Sequence, residues 1–313
     1  MSTNRVAGHP DYSSSGTSAF IPEVWSSKLQ KKYYKKTVLT AICNTDWEGE
    51  VKNQGDKVYI RGIPDITTFN HQKGMTLPTQ RPEVADIEML VDKGRGWNVL
   101  LDDVDKVQSD IDLLNKFTDD AAKQVDIAVD SALLGAVYAD ASAYNCGATA
   151  GKISSGYNLG ASGSPIQITK TNIIDYVVDC EATLDEQDVP DDSRWIVLPS
   201  WAVAMLKKSD LKDASMTGDA KSILRSSTVG IIDRAVIYRS NNCGSVASGS
   251  EASGFKSYYA LFGHRDAISF ANQFVKTESL RSSTSFDTII RGLMVYGYKV
   301  TKAEALGYMY IRK

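Results

Sequence analysis

Histidine is scarce: three residues among 313, at positions 9, 71 and 264, and no His-Glu-x-x-His pair, so the commonest hydrolytic zinc motif is excluded. Cysteine is almost as rare. Cys43, Cys146, Cys180 and Cys243 stand far apart with no Cys-x-x-Cys, which excludes zinc ribbons and disulfide-stapled secreted scaffolds and predicts four free thiols in a reducing compartment. No apolar run approaches the roughly 20 residues of a membrane helix. Met1-Ser2-Thr3-Asn4-Arg5 leads into no signal-peptide apolar core, so a soluble chain made in a cytoplasm is expected, with no membrane partner. Also missing are a Walker A loop, a Gly-x-Gly-x-x-Gly after a strand, a Gly-x-Ser-x-Gly elbow and any internal repeat. Net charge is only −3, too little to drive the whole molecule onto nucleic acid or anionic lipid. What is present is an ordinary globular composition, 42% hydrophobic and 23% charged, at a length where one core begins to divide into two.

Residues 2–17 are polar and rich in Ser and Gly, and read as a mobile arm. A helix is predicted from Pro22 to about Ile42, with Val24, Trp25, Leu29, Tyr33 and Val38 at helical spacing. Strand alternation appears at Asp56–Arg61 and resumes at Ile87–Val91. The polar stretch between, Thr67 to Pro82, reads as a two-stranded excursion too poor in apolar residues to own a core. From Asp103 to about Tyr138, Val107, Ile111, Leu114, Phe117, Ala121, Val125 and Ala128 recur at helical spacing, with Asp102, Asp103 and Asp105 placed to complement the dipole of a long strut. A Gly/Ala/Ser-rich break at 139–165 suggests a domain boundary. Beyond it come a helix over 171–187, a strand at Trp195–Leu198, a helix from Trp201 capped by Ser200, strands at 231–238 and 258–262, and a β-like end over 289–311.

Catalytic constellations are thin, and the reading is not an enzyme, with no catalytic, cofactor or metal residue assigned. The different-class rival is a soluble enzyme using His264 with the acidic cluster Asp185, Glu186, Asp188, Asp191 and Asp192. Those acids do not have EF-hand spacing, and a solvated helix-to-strand loop explains them. Lys28, Lys31, Lys32, Lys35 and Lys36, interleaved with Tyr33 and Tyr34, have the composition of a nucleic-acid patch. The patch is short, and lysines facing water or an acidic neighbour explain it better. Charge is instead segregated. Residues 1–40 carry +4, residues 102–140 carry −7 and residues 276–313 carry +4, which suits complementary surfaces between identical subunits.

The order of parts resembles the Hong-Kong-97-type fold of tailed-phage major capsid proteins over nearly the whole chain. Phe20-Ile21-Pro22-Glu23-Val24-Trp25-Ser26 opens the arm helix, and Glu48-Gly49-Glu50 through Val58 enters the extended loop. Asp102-Asp103-Val104-Asp105-Lys106-Val107 is similar to the family's spine-helix start. Trp195-Ile196-Val197-Leu198-Pro199 resembles the strand before a helix in its axial domain, and Arg291–Gly297 with Glu304-Ala305-Leu306 its closing strands. Ala303 departs from the proline many relatives carry there.

The resemblance implies an α+β chain: an N-terminal arm (1–46), an extended β-hairpin loop with its base strands (47–100), a peripheral domain with the spine helix (101–165), an axial domain (166–271), and a return to the peripheral domain (272–313). It implies self-assembly into hexamers and pentamers of an icosahedral shell around double-stranded DNA, a virion location, and assembly in the host bacterial cytoplasm. Candidate inter-subunit contacts are the five lysines at 28–36 and, on the loop, Asn70, His71, Lys73, Met75 and Arg81. Gly94, Gly96 and Gly135 are candidate hinges. No motif marks Lys73 and Asn70 as a covalent cross-linking pair. The short arm implies a separate scaffolding protein, beside a portal and decoration proteins. Packaged DNA is a neighbour held without tight binding. An encapsulin-like compartment is the alternative on the same fold.

Overall fold

The computed structural model describes residues 32–47, 57–64, 66–83, 86–102, 113–209, 230–246, 255–282 and 287–313, less the side chains of 113–114 and 273–275. Lys28, Lys31 and most of the predicted arm helix lie outside these residues. The part inside is not helical until α1, the single turn Leu39–Ile42. Lys32–Val38 is irregular because side chains of the long helix hold it, a tertiary contact overriding local propensity.

β1 (Lys57–Arg61) and β2 (Asp86–Leu90) form an antiparallel ribbon, as the alternation predicted. The excursion between them is not two-stranded. Among its described residues no strand forms, and the Gln80 side chain takes the place of a ladder, accepting from Thr67 N at 3.1 Å and donating to Thr67 O at 2.6 Å. β3 (Lys93–Asp102) then runs to the helix α2 (Leu113–Leu134). Asp102 ends β3 rather than opening a helix, and residues 103–112 fall outside the described set. At 22 residues α2 is about 33 Å long. Only its C-terminal part enters the core, through Val129, Leu133 and Leu134.

The predicted break at 139–165 is woven into that core. Ala150 and Leu159 are fully buried, and Tyr310 N donates to Leu159 O at 2.8 Å. Next come β4 (Ile166–Gln167), α3 (Ile173–Asp185), β5 (Arg194–Leu198) and α4 (Ser200–Lys208). On α3 the apolar face Ile173, Val177, Cys180 and Leu184 is buried as its spacing required. Ser200 does not cap α4. Pro199 occupies the cap position and Ser200 Oγ pairs with Asn241 Oδ1 at 2.5 Å. The chain continues through β6 (Ile231–Ile232), β7 (Ala235–Arg239), β8 (Ser245–Val246), β9 (Ser257–His264), β10 (Ile268–Arg281), β11 (Asp287–Val300) and β12 (Leu306–Arg312).

Two sheets organise these strands. A seven-stranded sheet has the order β4-β12-β9-β5-β7-β6, with β8 pairing on β9. β5 sits inside it and all five of its residues are buried, which explains a continuous apolar run in place of alternation. A three-stranded sheet, β10-β11-β3, carries a long hairpin of two 14-residue strands, about 45 Å from end to end. β10 was invisible in the sequence pattern, because Asn272, Lys276, Thr277, Glu278 and Ser279 dilute its apolar signal. The closing strands part: β11 stays in the hairpin while β12 enters the seven-stranded sheet.

The β1–β2 ribbon seats on the hairpin through a small second core of Val58, Ile60, Met89, Val91 and Ala271. That contact needs Gly297, since a Cβ there would collide with the Leu90 carbonyl and come within 2.9 Å of Val91 Cα. No helix among the described residues is long and apolar enough to cross a membrane.

Candidate assembly surfaces

The strap Lys32–Ile42 lies along α2 through two aspartates. Lys32 Nζ reaches Asp120 at 2.8 and 3.0 Å, and Tyr34 donates its hydroxyl to the same carboxylate at 2.7 Å. Lys123 stands 4.8 Å over the Tyr34 ring. Hydrogen bonding from Lys32, then Tyr34, holds the Asp120 carboxyl below its usual range, and the bond to Asp120 pushes Tyr34 up. One α2 residue inside the core, Asp130, is fully buried. It accepts from Val38 N and Leu39 N, each at 3.0 Å, and from Asn242 Nδ2 at 2.7 Å. One carboxylate therefore ties the strap, the long helix and the loop after β7. Part of the complementarity between basic arm and acidic strut is thus realised within one chain: Lys32 is engaged at home, whereas Lys35 and Lys36 are exposed.

The loop between β1 and β2 is the reverse case. Every described residue of 66–83 is exposed, including Asn70, His71, Lys73, Met75 and Arg81. So are its apolar side chains, with Ile66 at 71%, Phe69 at 44% and Leu77 at 62%. At about 25 cal/mol per Å² of apolar area, this segment forgoes stabilisation that the described residues of its own chain do not supply. Gly94 and Gly96 are not turn residues. They lie within β3, opposite Val295 and Leu293. Gly135 follows the end of α2, where a Cβ on Gly244 would sit 3.2 Å from the Gly135 Cα, so the two glycines permit a close backbone approach.

Two members of the acidic cluster, Asp185 and Asp191, belong to an arginine-centred network, and His264 lies beside it. Arg194, at the head of β5, is fully buried and bonds Glu181 at 3.0 Å, Asp185 at 2.7 Å and Asp191 at 3.1 Å, with further bonds to the carbonyls of Val189 and Pro190. Arg234, in the β6–β7 turn, closes on Asp185 at 2.5 Å and Asp191 at 2.7 Å. Burial raises the Glu181 carboxyl despite Arg194, whereas at Asp185 burial is outweighed by Arg234 and Arg194 and the carboxyl is lowered. Glu186 turns away to accept from Ile153 N at 2.7 Å and Ser154 N at 3.1 Å. His264 is a buried strand-end residue paired in register with Arg194, its Nδ1 accepting from Asp266 N at 3.1 Å. Among the described residues no three His, Cys, Asp or Glu side chains are grouped to hold a metal. The sequence reading missed Arg194. Its signal was a lone arginine heading an apolar strand, preceded by acids at 181, 185 and 191.

No protein-family model matches the sequence, and no curated protein does. Solved structures do. The chain is similar to a structure from Mycobacterium phage Che8, with a TM-score of 0.74 and 25% identity over 92% of this chain and 96% of that one. It is similar to the capsid structure of cyanophage P-SCSP1u, with a TM-score of 0.71 and 14% identity over 95% of each chain. The capsid of Ralstonia phage GP4 matches at 0.64 and 14% identity, over 100% of this chain and 98% of that one. Over 92% or more of its length this chain carries the fold of these phage capsid structures.

Proposed function

We propose that the chain is the major capsid protein of a tailed double-stranded DNA phage, a non-enzymatic subunit that assembles as hexamers and pentamers into an icosahedral shell. The observation that carries this reading is the capsid fold matched over 92% or more of the chain. The loop 66–83, whose apolar side chains are exposed among the described residues, supports it physically, because another subunit can bury such a segment. In this reading the arm is 1–46, the loop and its base strands 47–100, and the axial domain 166–271; of the peripheral domain expected over 101–165 with 272–313, β12 joins the seven-stranded sheet with the axial strands β4 and β9 instead. The axial domain meets its copies around five- and six-fold axes, as heterologous contacts that close by rotation. A separate scaffolding protein, a portal and decoration proteins complete the particle in the host cytoplasm, and packaged DNA lies near the inner surface without tight binding.

The test is electron microscopy of the chain expressed with its neighbouring open reading frames. Icosahedral particles that fill with DNA through a portal are expected. Particles holding a protein cargo instead reassign the chain to an encapsulin-like compartment, and absence of particles under all co-expression conditions refutes the shell reading. Isolated subunits are expected to bind duplex DNA only weakly, and submicromolar affinity at physiological salt contradicts a non-sticking lining.

A further inference from the structure

Two adjoining hollows lie where the strap, α2, α4 and the loop after β7 meet. One, of about 460 Å³, is lined among others by Lys35, Ser131, Ser200, Trp201, Asn242 and Lys256. The other, of about 370 Å³, is lined by Trp201, Phe255, Lys256, Tyr258 and Lys313. They share Trp201, Lys256 and Tyr258, so they make one groove. Among the described residues every charged side chain lining it is a lysine. The walls are aromatic, with Trp201 tilted on Tyr258 at 5.9 Å, Lys256 over Tyr258 at 5.4 Å and Arg312 over Phe255 at 4.5 Å. The nine-residue helix α4 opens at its rim and adds the positive end of its dipole. Two buried polar atoms of lining residues, Trp201 Nε1 and Asn242 Oδ1, have no hydrogen-bond partner, and Asn242 is only 3% exposed. The chemistry that fits is a segment alternating carboxylates with aliphatic side chains.

We infer that this lysine-rimmed aromatic groove receives residues 103–112 of a second copy of the chain. That segment reads Asp103-Val104-Asp105-Lys106-Val107-Gln108-Ser109-Asp110-Ile111-Asp112. Its four aspartates against one lysine make it the most acidic of the segments outside the described residues, and Val104, Val107 and Ile111 supply the apolar contacts. Its own groove is out of reach. Leu113 begins α2 and Ser131 at the groove is 18 residues along it, a rise of about 27 Å. The other tether, Asp102, pairs with Asp287 at the outer end of the β10–β11 hairpin. Ten residues held at both ends extend outward by roughly 19 Å at most. The contact is therefore heterologous, strut start to groove, and such contacts propagate around a ring. The inference rests on the chain being an assembling subunit.

The test measures fluorescence polarisation of a labelled peptide of residues 103–112 on the whole protein, at low and high salt. Saturable binding that weakens as salt rises is expected. Replacing all four aspartates by Asn in the peptide is expected to weaken binding at least tenfold, and Lys256→Glu or Lys313→Glu by roughly two- to fivefold each, with unchanged melting curves. No saturable binding, or equal binding of the neutral peptide, overturns the inference. Displacement of the peptide by an oligothymidine that binds more tightly also overturns it and assigns the groove to nucleic acid. Micrographs separate this from the shell reading: particles from a chain that ignores the peptide sink the groove contact alone, whereas a chain that binds peptide but never forms particles sinks the shell alone.

Discussion

Replacing Asp130 tests whether one buried carboxylate organises the junction of strap, strut and loop. Its two oxygens satisfy Val38 N, Leu39 N and Asn242 Nδ2 with no exposure to water. Asp130→Ala orphans three buried donors, each costing about 1–3 kcal/mol. The sum, about 3–9 kcal/mol, is a large share of the roughly 5–15 kcal/mol that keeps a native chain folded. Asp130→Asn is a sharper probe. An Asn oxygen still accepts from the two backbone donors, and its new amide meets Asn242. The Asn242 oxygen, unpartnered in the structure, turns to accept that amide, so the cost falls to about 1 kcal/mol for the lost charge assistance. Urea unfolding of the three proteins, read at equal slope, is expected to rank wild type above Asn, and Asn well above Ala. If Ala and Asn lie within about 1 kcal/mol of each other, the three-way tie is not what stabilises the junction.

Other expectations address the network, the strap and the loop. Arg194→Met strands Glu181 in the core and is expected to cost about 3–5 kcal/mol, while Arg194→Met with Glu181→Met recovers most of it; a double variant no better than the single one contradicts the pairing. The depressed Asp120 contributes stability above its unfolded value of 3.8 that fades as pH falls through its lower folded value, and the raised Tyr34 contributes below 10.0 and fades as pH rises through its higher one. Tyrosinate absorbance is expected to show Tyr34 titrating earlier in Asp120→Asn, with Tyr34→Phe as the reference, and an unmoved titration refutes the bond. Ile66→Ser with Leu77→Ser is expected to leave subunit stability within about 0.5 kcal/mol but to cut particle yield. A destabilised subunit with normal particles would show that the loop packs at home.

Much of the fold was legible where one local rule acted alone. The α3 face Ile173, Val177, Cys180 and Leu184, the β5 run Trp195–Leu198 and the alternation at 57–61 each found their place. Other segments were misread because partners far along the chain set their state. Lys32–Val38 carries helical spacing but lies unwound on α2, since Asp120 and Asp130 engage its side chains and the turn that follows it. Ser200, in capping sequence context, turns to Asn241. The Gly/Ala/Ser run at 139–165 has the composition of a linker, and β12 makes it part of the core through Leu159.

By itself the sequence determined the periodicities of its helices and strands and the placing of charges of opposite sign on successive parts. Helical and strand periodicities are local, so residue spacing carries them. Tertiary structure alone decided which opposite charges meet inside one chain and which remain for a neighbour. Lys32 and Asp120 are 88 residues apart in sequence and 2.8 Å apart in space, whereas Lys256 and Lys313 line a groove with no acidic side chain among its described residues. Coulomb attraction acts over ångströms and is screened by water and salt beyond about 10 Å, so only the folded chain defines which charges are partners.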